Sequence, residues 1–199
     1  MALTPEELAF TELGDRLRGL ARRRSRAELR PAAVLVPLSW RSGDLWVTLI
    51  RRPGSMTSHS GQVACPGGRV DPGETSREAA LRETHEELGI PAQSVEVLGP
   101  LHDVEVLVSG HVVTPWVARI PPDLELAPNP DEVERVFAVP LAALADPAQG
   151  RFRLEELKHA GKRYQVPYWN YADEVIWGAT GRMLLDLLRV LERAPTARS

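Results

Sequence analysis

The sequence predicts an α/β fold in which helices pack against a mixed β-sheet. Short apolar segments rich in β-branched residues alternate with segments of helical periodicity. Tight turns join several neighbouring strands, which favours a mixed sheet over a doubly wound parallel one. Neither an internal repeat nor a long low-complexity linker divides the 199 residues. We therefore expect one domain over residues 1–199, with helical extensions at both ends.

The composition narrows the class of protein. Apolar residues make up 43% of the chain, charged residues 26%, and the net charge of −3 gives no overall basic field for nucleic acid. The single cysteine, Cys65, cannot form an internal disulfide. The amino terminus lacks the apolar core of a signal peptide, and no run of about 18 apolar residues predicts a membrane span. We expect a soluble cytoplasmic protein without nucleic-acid or membrane partners. A homodimer is an assembly that the sequence leaves open.

Residues 1–30 are expected to form a helical extension. Leucines recur close to helical spacing between Pro5 and Arg24, which predicts an amphipathic helix. The segment then becomes basic and contains Arg22, Arg23, Arg24, Arg26 and Arg30. A solvated helix end is one interpretation of this run, and a phosphate-contacting arm is the other.

A hairpin and a long loop are expected next. Ala32–Leu38 and Leu45–Arg51 are short apolar runs separated by a turn at Ser42-Gly43-Asp44, which predicts a β-hairpin. Residues 52–73 are rich in glycine and proline, so we expect a long loop of defined shape.

A strong helix follows this loop. Thr75 with Glu78 three residues later is a capping-box pattern, and Gly89 suits the left-handed position that ends a helix. The remaining elements follow from the same patterns. They are strands at Val95–Leu101, Val104–Val108, His111–Ile120 and Glu134–Val139, a surface loop at Pro121–Pro130, a short helix at Leu141–Ala145, a second hairpin of Arg151–Glu156 and Lys162–Tyr168 around Ala160-Gly161, and a carboxy-terminal helix at about residues 176–193.

Three glutamates share one face of the predicted central helix. Glu83, Glu86 and Glu87 stand at positions i, i+3 and i+4, and such like-charge neighbours repel one another. A solvated acidic face is one interpretation. The preceding Gly67 favours another, because a backbone carbonyl there can join the carboxylates around a hard divalent cation. Arg82 can brace a carboxylate or contact a phosphate.

Residues 68–90 resemble the Nudix box. The fixed positions of that motif are all filled at the required spacing by Gly68, Glu74, Arg82, Glu83, Glu86, Glu87, Gly89 and Ile90. Membership of the Nudix hydrolase family would imply a Nudix α/β/α sandwich with a mixed sheet, and attack of water on a phosphorus atom. It would also imply Mg²⁺ or Mn²⁺ held by the glutamates at positions 83, 86 and 87 with the carbonyl at position 67. Glu74 and Arg82 would orient the loop and helix.

The approach to the box resembles the coenzyme A pyrophosphatases within this family. The resemblance rests on Arg52, Met56, Gly61-Gln62-Val63, Cys65-Pro66-Gly67-Gly68, Asn129–Val133, Val139-Pro140-Leu141 and Ile176–Thr180. Pro53, Met56 and Cys65 depart from the residues usual in that pattern. The expected products are 3′,5′-ADP and 4′-phosphopantetheine. Alternatives are a Nudix pyrophosphatase for ADP-ribose, a dinucleotide or an oxidised nucleoside triphosphate, and a non-catalytic ligand sensor.

Several further residues are candidates for the site. The expected substrate contacts are Arg51, Arg52, His59 and Gln62. The candidates for binding a 3′-phosphate on the substrate are Arg51, Arg52 and the Arg22–Arg26 run. Glu132 can supply a ligand or general base from its acidic loop, or lie on a plain acidic surface. We expect Cys65 to be a packed apolar residue. Four aromatic residues lie close together in the sequence: Tyr164, Tyr168, Trp169 and Tyr171. In one interpretation they stack on adenine, and in the other they belong to the core.

Overall fold

The computed structural model describes residues 3–54, 61–159 and 161–192. The strands in these residues are β1 (Arg30–Arg41), β2 (Asp44–Arg51), β3 (Val63–Ala64), β4 (Gly67–Arg69), β5 (Glu96–Pro100), β6 (Val104–Val106), β7 (His111–Arg119), β8 (Arg135–Pro140), β9 (Arg153–His159), β10 (Lys162–Tyr171) and β11 (Glu174–Ile176). The helices are α1 (Pro5–Gly19), α2 (Ser76–Leu88), α3 (Leu141–Ala145) and α4 (Gly178–Val190), with a 3₁₀ turn at Ala92–Ser94.

The long strand β1 organises a mixed sheet of eight strands among the described residues. It pairs in parallel with β7 and antiparallel with two partners on its other edge. Its first half pairs with β4 over Ala32–Val34, and its last residues pair with β2 over Leu38–Arg41. The sheet therefore forks between β2 and β4, and residues of β1, β3 and β4 line the cleft described below.

Helices cover both faces of β1 because its side chains alternate. Ala33 and Leu35 pack against Ala79 and Ala80 of α2. On the opposite face, Val36 and Leu38 belong to a core that also contains buried residues of α1 and α4. Alternation of this kind is expected of a strand buried on both faces. The predicted α/β fold with a mixed sheet is confirmed.

Both predicted hairpins are present. Ser42 and Gly43 form the β1–β2 turn with φ angles of 50° and 82°, the left-handed conformation required by a two-residue turn of this kind. β9 and β10 form the second hairpin, and β11 extends it into a separate three-stranded sheet. Ala160, one of the two predicted turn residues, lies outside the described residues.

Several predicted boundaries were wrong. Helix α1 ends at Gly19 instead of Arg24, and it buries Phe10, Leu13 and Leu17 whereas Leu8 is exposed. Helix α4 begins at Gly178, whose φ is 64°, because Ile176 is the last residue of β11. The predicted loop at residues 52–73 contains β3 and β4, which are too short to produce a period in the sequence. In the described part of the chain, no helix is long and apolar enough to cross a bilayer.

Candidate active site

Helix α2 carries the acidic face, and both of its ends are defined as predicted. The Thr75 hydroxyl accepts a hydrogen bond from the Glu78 N–H, and the Glu78 carboxylate accepts one from the Thr75 N–H, which completes the capping box. Gly89 ends the helix with a φ of 70°. The start of the helix is thus fixed by local sequence, and its packing on β1 and β4 brings the acidic face beside the Gly67-Gly68 backbone.

Glu87 is buried against the loop that precedes the helix. Its side chain accepts a hydrogen bond of 2.8 Å from the Gly67 N–H and lies 2.9 Å from the Arg52 guanidinium. The same guanidinium donates a 2.9 Å hydrogen bond to the Gly67 carbonyl. Burial raises the pKa of Glu87 to about 7, while Arg52 and the Gly67 N–H oppose the increase. Arg52 therefore holds the carboxylate and the carbonyl together.

Glu83 lies against Gly68. A β-carbon at position 68 would come within 2.4 Å of the Glu83 carboxylate, so only glycine leaves room for this approach. Partial burial raises the pKa of Glu83, although the adjacent Arg82 guanidinium favours the charged form. The backbone of the loop thus forms one wall of the acidic site.

Arg82 ties the loop to the helix. It donates to both oxygens of Glu74 at 2.8 and 3.2 Å, and to Glu83 and Glu86 at 3.0 Å each. It also donates to the Arg69 carbonyl at 3.1 Å. The Arg82 guanidinium, followed by the Asp71 N–H, lowers the pKa of Glu74. These contacts are those of a residue that orients the loop relative to the helix.

The donor set has the chemistry of a hard cation site. Glu83, Glu86, Glu87 and the Gly67 carbonyl offer only oxygen atoms, which suit Mg²⁺ and Mn²⁺. Within residues 3–54, 61–159 and 161–192, no three acidic, histidine or cysteine side chains yet converge on one point. The arginines at positions 52 and 82 contact every member of this donor set. These four groups are the ones that could hold a cation, and in this structure the two arginines hold them in place.

A cleft of about 1380 Å³ opens beside this site. It reaches Arg52, Gly67 and Gly68, and it is also lined by Arg23 and Arg24 from the segment before β1. Its remaining walls include β6, β10 and the start of α4. The cleft is large enough for a nucleotide derivative, since small-molecule sites commonly enclose several hundred Å³.

The predicted substrate contacts divide between this cleft and other places. Arg52 and Gln62 line the cleft. Arg51 instead lies 2.8 Å from the buried carboxylate of Glu174, an ion pair that directs its guanidinium toward β11. His59 lies outside the described residues.

Glu132 sits in a loop that is attached to the end of α2. The Ala127 N–H donates to the Leu88 carbonyl and the Asn129 N–H to the Glu87 carbonyl, both at 2.9 Å. These bonds satisfy carbonyls that a helix end leaves without internal partners. The negative charge of Glu132 contributes to the raised pKa of both Glu83 and Glu87.

The remaining candidate residues divide into residues of the core and residues of the cleft. Cys65 is 2% exposed, and burial raises the pKa of its thiol to about 12, so it is a packed core residue. Trp169 is fully buried against Phe152, whereas Tyr164 lines the cleft. The ring of Tyr168 stacks on that of Trp177 at 5.5 Å, a pairing that sequence reasoning did not predict because only the tertiary fold brings the two residues together. Of the basic run, Arg23, Arg24 and Arg30 reach the cleft.

Comparisons with known proteins identify the family of this chain. Residues 29–160 match the family model of the NUDIX domain. Two proteins described as uncharacterised Nudix hydrolase NudL are similar over most of their length. The one from Photorhabdus laumondii is 37% identical over 164 residues, or 82% of this chain and 86% of the relative. The one from Escherichia coli K12 is 40% identical over 159 residues, or 79% and 81% respectively.

One solved structure supports the same family. The Nudix hydrolase RenU from M. smegmatis is 27% identical to this chain, with a TM-score of 0.50 over 59% of this chain and 74% of that one. The family model covers well over half of the present sequence, and it includes the loop, α2 and the attached acidic loop. The chain therefore belongs to the Nudix family and is a pyrophosphohydrolase.

Proposed function

We propose that this protein hydrolyses the pyrophosphate bond of coenzyme A, or of a coenzyme A derivative, to 3′,5′-ADP and 4′-phosphopantetheine, with Mg²⁺ or Mn²⁺. Nudix hydrolases act on nucleoside diphosphate derivatives and generally use divalent cations. The observation that carries the narrower proposal is the basic lining of the cleft. The arginines of this lining are Arg23, Arg24, Arg30, Arg52, Arg69, Arg163 and Arg182. Arg52 is engaged with the Glu87 carboxylate, whereas Arg23 and Arg24 form no salt bridge among the described residues. Coenzyme A has a 3′-phosphate in addition to its pyrophosphate, so it needs such charge.

The side chains have distinct roles in this proposal. Glu83, Glu86 and Glu87 with the Gly67 carbonyl would hold the metal, which supplies charge neutralisation and activates water when bound. Arg52 keeps the Glu87 carboxylate and the Gly67 carbonyl in register through its two contacts at 2.9 Å.

Arg82 and Glu132 have further roles in this proposal. Arg82, which lies on α2 itself, positions Glu83 and Glu86 through contacts of 3.0 Å. Glu132 is our candidate for the base that removes a proton from the attacking water, because its loop is attached to the end of α2 by the 2.9 Å hydrogen bond from the Asn129 N–H to the Glu87 carbonyl.

Product analysis with purified protein tests this proposal. The protein is incubated with coenzyme A and either Mg²⁺ or Mn²⁺, and 3′,5′-ADP is quantified by chromatography. We expect release of 3′,5′-ADP that stops when a chelator removes the metal. We expect Glu86→Gln to reduce kcat by at least about 100-fold, since it removes a charge that the metal requires while nearly preserving shape.

A matched variant tests whether the loss of activity in Glu86→Gln is specific to the carboxylate set. Glu125 is an exposed glutamate of the loop between β7 and β8, and Glu125→Gln makes the same chemical change away from the carboxylate set. Its activity should equal that of the wild type. If coenzyme A stays intact with either metal while ADP-ribose or a dinucleotide is cleaved, the coenzyme A assignment is wrong. Tight binding without turnover of any of them would instead indicate a ligand sensor.

A further inference from the structure

The segment between α1 and β1, residues 20–29, is fixed along the wall of the cleft. We call this segment the arginine strap. Its anchor is Arg22, which contacts the Asp103 carboxylate and donates hydrogen bonds to the Leu101 carbonyl at 3.0 Å and the Thr114 hydroxyl at 3.1 Å. The side chains of Arg22 and Asp103 are only 17% and 9% exposed. Arg22 therefore holds the strap in place and is not available to a ligand.

Backbone hydrogen bonds fix the strap on both sides of Arg24. The Arg23 N–H donates to His102 Nδ1, and the Asp103 N–H donates to the Arg23 carbonyl, both at 3.0 Å. The Ser25 N–H donates to Asp103 at 3.0 Å, and the Ser25 hydroxyl donates to Glu105 at 2.6 Å. Because this backbone is already ordered, a ligand would need to immobilise only the arginine side chains.

Arg23 and Arg24 present unneutralised charge to the cleft. Both residues line it and are exposed, and neither guanidinium takes part in a salt bridge among the described residues. Arg52 and Arg163 also line the cleft but differ in this respect, since Arg52 is engaged with Glu87 of α2 and Arg163 with Glu156. The lining also contains Arg30, Arg69 and Arg182, but these lie outside the strap. The two strap arginines are therefore free to bind an anion without breaking an ion pair.

We propose that Arg23 and Arg24 form a specificity subsite for the phosphomonoester on the ribose of the substrate. This inference rests on the proposed function and deepens it. A phosphomonoester carries close to two negative charges and three acceptor oxygens, which match the planar donor forks of two arginines. Recognition at this subsite would distinguish coenzyme A from its 3′-dephospho form, which shares the pyrophosphate.

Paired substrates test the subsite directly. We would measure kcat/KM for coenzyme A and for 3′-dephospho-coenzyme A with the wild type and with the double variant Arg23→Ala/Arg24→Ala. We expect the wild type to favour coenzyme A by about 10- to 100-fold, the usual size of a charge-assisted contact. In the double variant this preference should fall to about one, because kcat/KM for coenzyme A decreases while that for the dephospho form is unchanged.

Arg26→Ala is the matched control. Arg26 lies on the same strap and is exposed, but it does not line the cleft. It should retain the wild-type preference. An equal loss of activity on both substrates in the double variant would overturn the proposal, because the arginines would then contact the shared pyrophosphate. Equal use of both substrates by the wild type would overturn it as well.

A binding measurement separates this inference from the proposed function. Calorimetry with 3′,5′-ADP and with 5′-AMP needs no turnover, so it applies even if coenzyme A proves not to be a substrate. We expect the wild type to bind 3′,5′-ADP at least about 10-fold more tightly than 5′-AMP, and the double variant to lose that difference. Equal affinities in the wild type would rule out the subsite.

Discussion

At the scale of single residues, the site depends on backbone positions that accept no side chain. Gly67 has a φ of 150°, and a β-carbon there would lie 2.3 Å from the Ala33 carbonyl, so a substitution would disturb the β1–β4 pairing. Gly68 differs because its clash is with the flexible end of Glu83. Position 67 is thus constrained by the fold, whereas position 68 is constrained by the carboxylate.

Gly68→Ala should therefore separate activity from stability. The added methyl group must displace the Glu83 carboxylate, and a displacement of about 1 Å in such a site can reduce the rate about 100-fold. We expect kcat/KM to fall by about this factor while the melting temperature changes by only a few degrees. Gly19→Ala is the control, because nothing lies within 4 Å of its β-carbon position. A large loss of stability in Gly68→Ala would contradict the argument.

At the scale of elements, a buried carboxylate connects the two sheets. Glu174 of β11 is 4% exposed and contacts Arg51 of β2 at 2.8 Å and Arg135 of β8 at 3.1 Å. Its hydrogen bond to Arg51 is the main cause of the raised pKa of that guanidinium. Arg51 therefore helps to join the strands, through Glu174, which lies 123 positions away in the sequence.

Loss of this charge should destabilise the fold. We expect Glu174→Gln to lower the free energy of unfolding by about 1–3 kcal/mol, since hydrogen bonds to charged groups are among the stronger ones and the arginines would lose their counterion. Urea unfolding measures the change. Glu155→Gln removes an exposed glutamate that pairs with Arg153, and it should cost less than about 1 kcal/mol. Equal effects of the two substitutions would contradict the assignment of a buried structural role.

At the scale of the whole molecule, elements outside the family-matched residues complete its core. Helices α1 and α4 lie beyond residues 29–160. Leu13 of α1 and Leu184 of α4 are nevertheless fully buried in the cluster that contains Val36 and Leu38 of β1. The terminal helices therefore cover one face of the sheet.

A pair of leucine substitutions in α1 tests this contribution. Leu13→Ala should lower the free energy of unfolding by about 2–5 kcal/mol, because it leaves a cavity in a fully buried position. Leu8→Ala, on the 57% exposed side of the same helix, should change it by no more than about 0.5 kcal/mol. Thermal or urea unfolding of both variants gives the comparison. A small effect of Leu13→Ala would show that α1 is an appendage and not part of the core.

Local chemistry made much of the fold and the acidic helix predictable. The capping pair Thr75 and Glu78, the left-handed Gly89 and the glutamate spacing all act within a few residues, so their consequences can be derived from sequence. The Ser42-Gly43 turn is of the same kind. The resemblance to the Nudix box then supplied the family, which the comparisons confirmed.

By itself the sequence determined the mixed α/β class, the helix α2 and its acidic face, because their periods and caps are properties of adjacent residues. Only the tertiary structure decided which partner each of the two neighbouring arginines, Arg51 and Arg52, contacts. Arg51 pairs with Glu174, whereas Arg52 holds Glu87 and Gly67, because successive residues at the end of a strand point to opposite sides. Their partners lie far along the chain, so no local pattern records them.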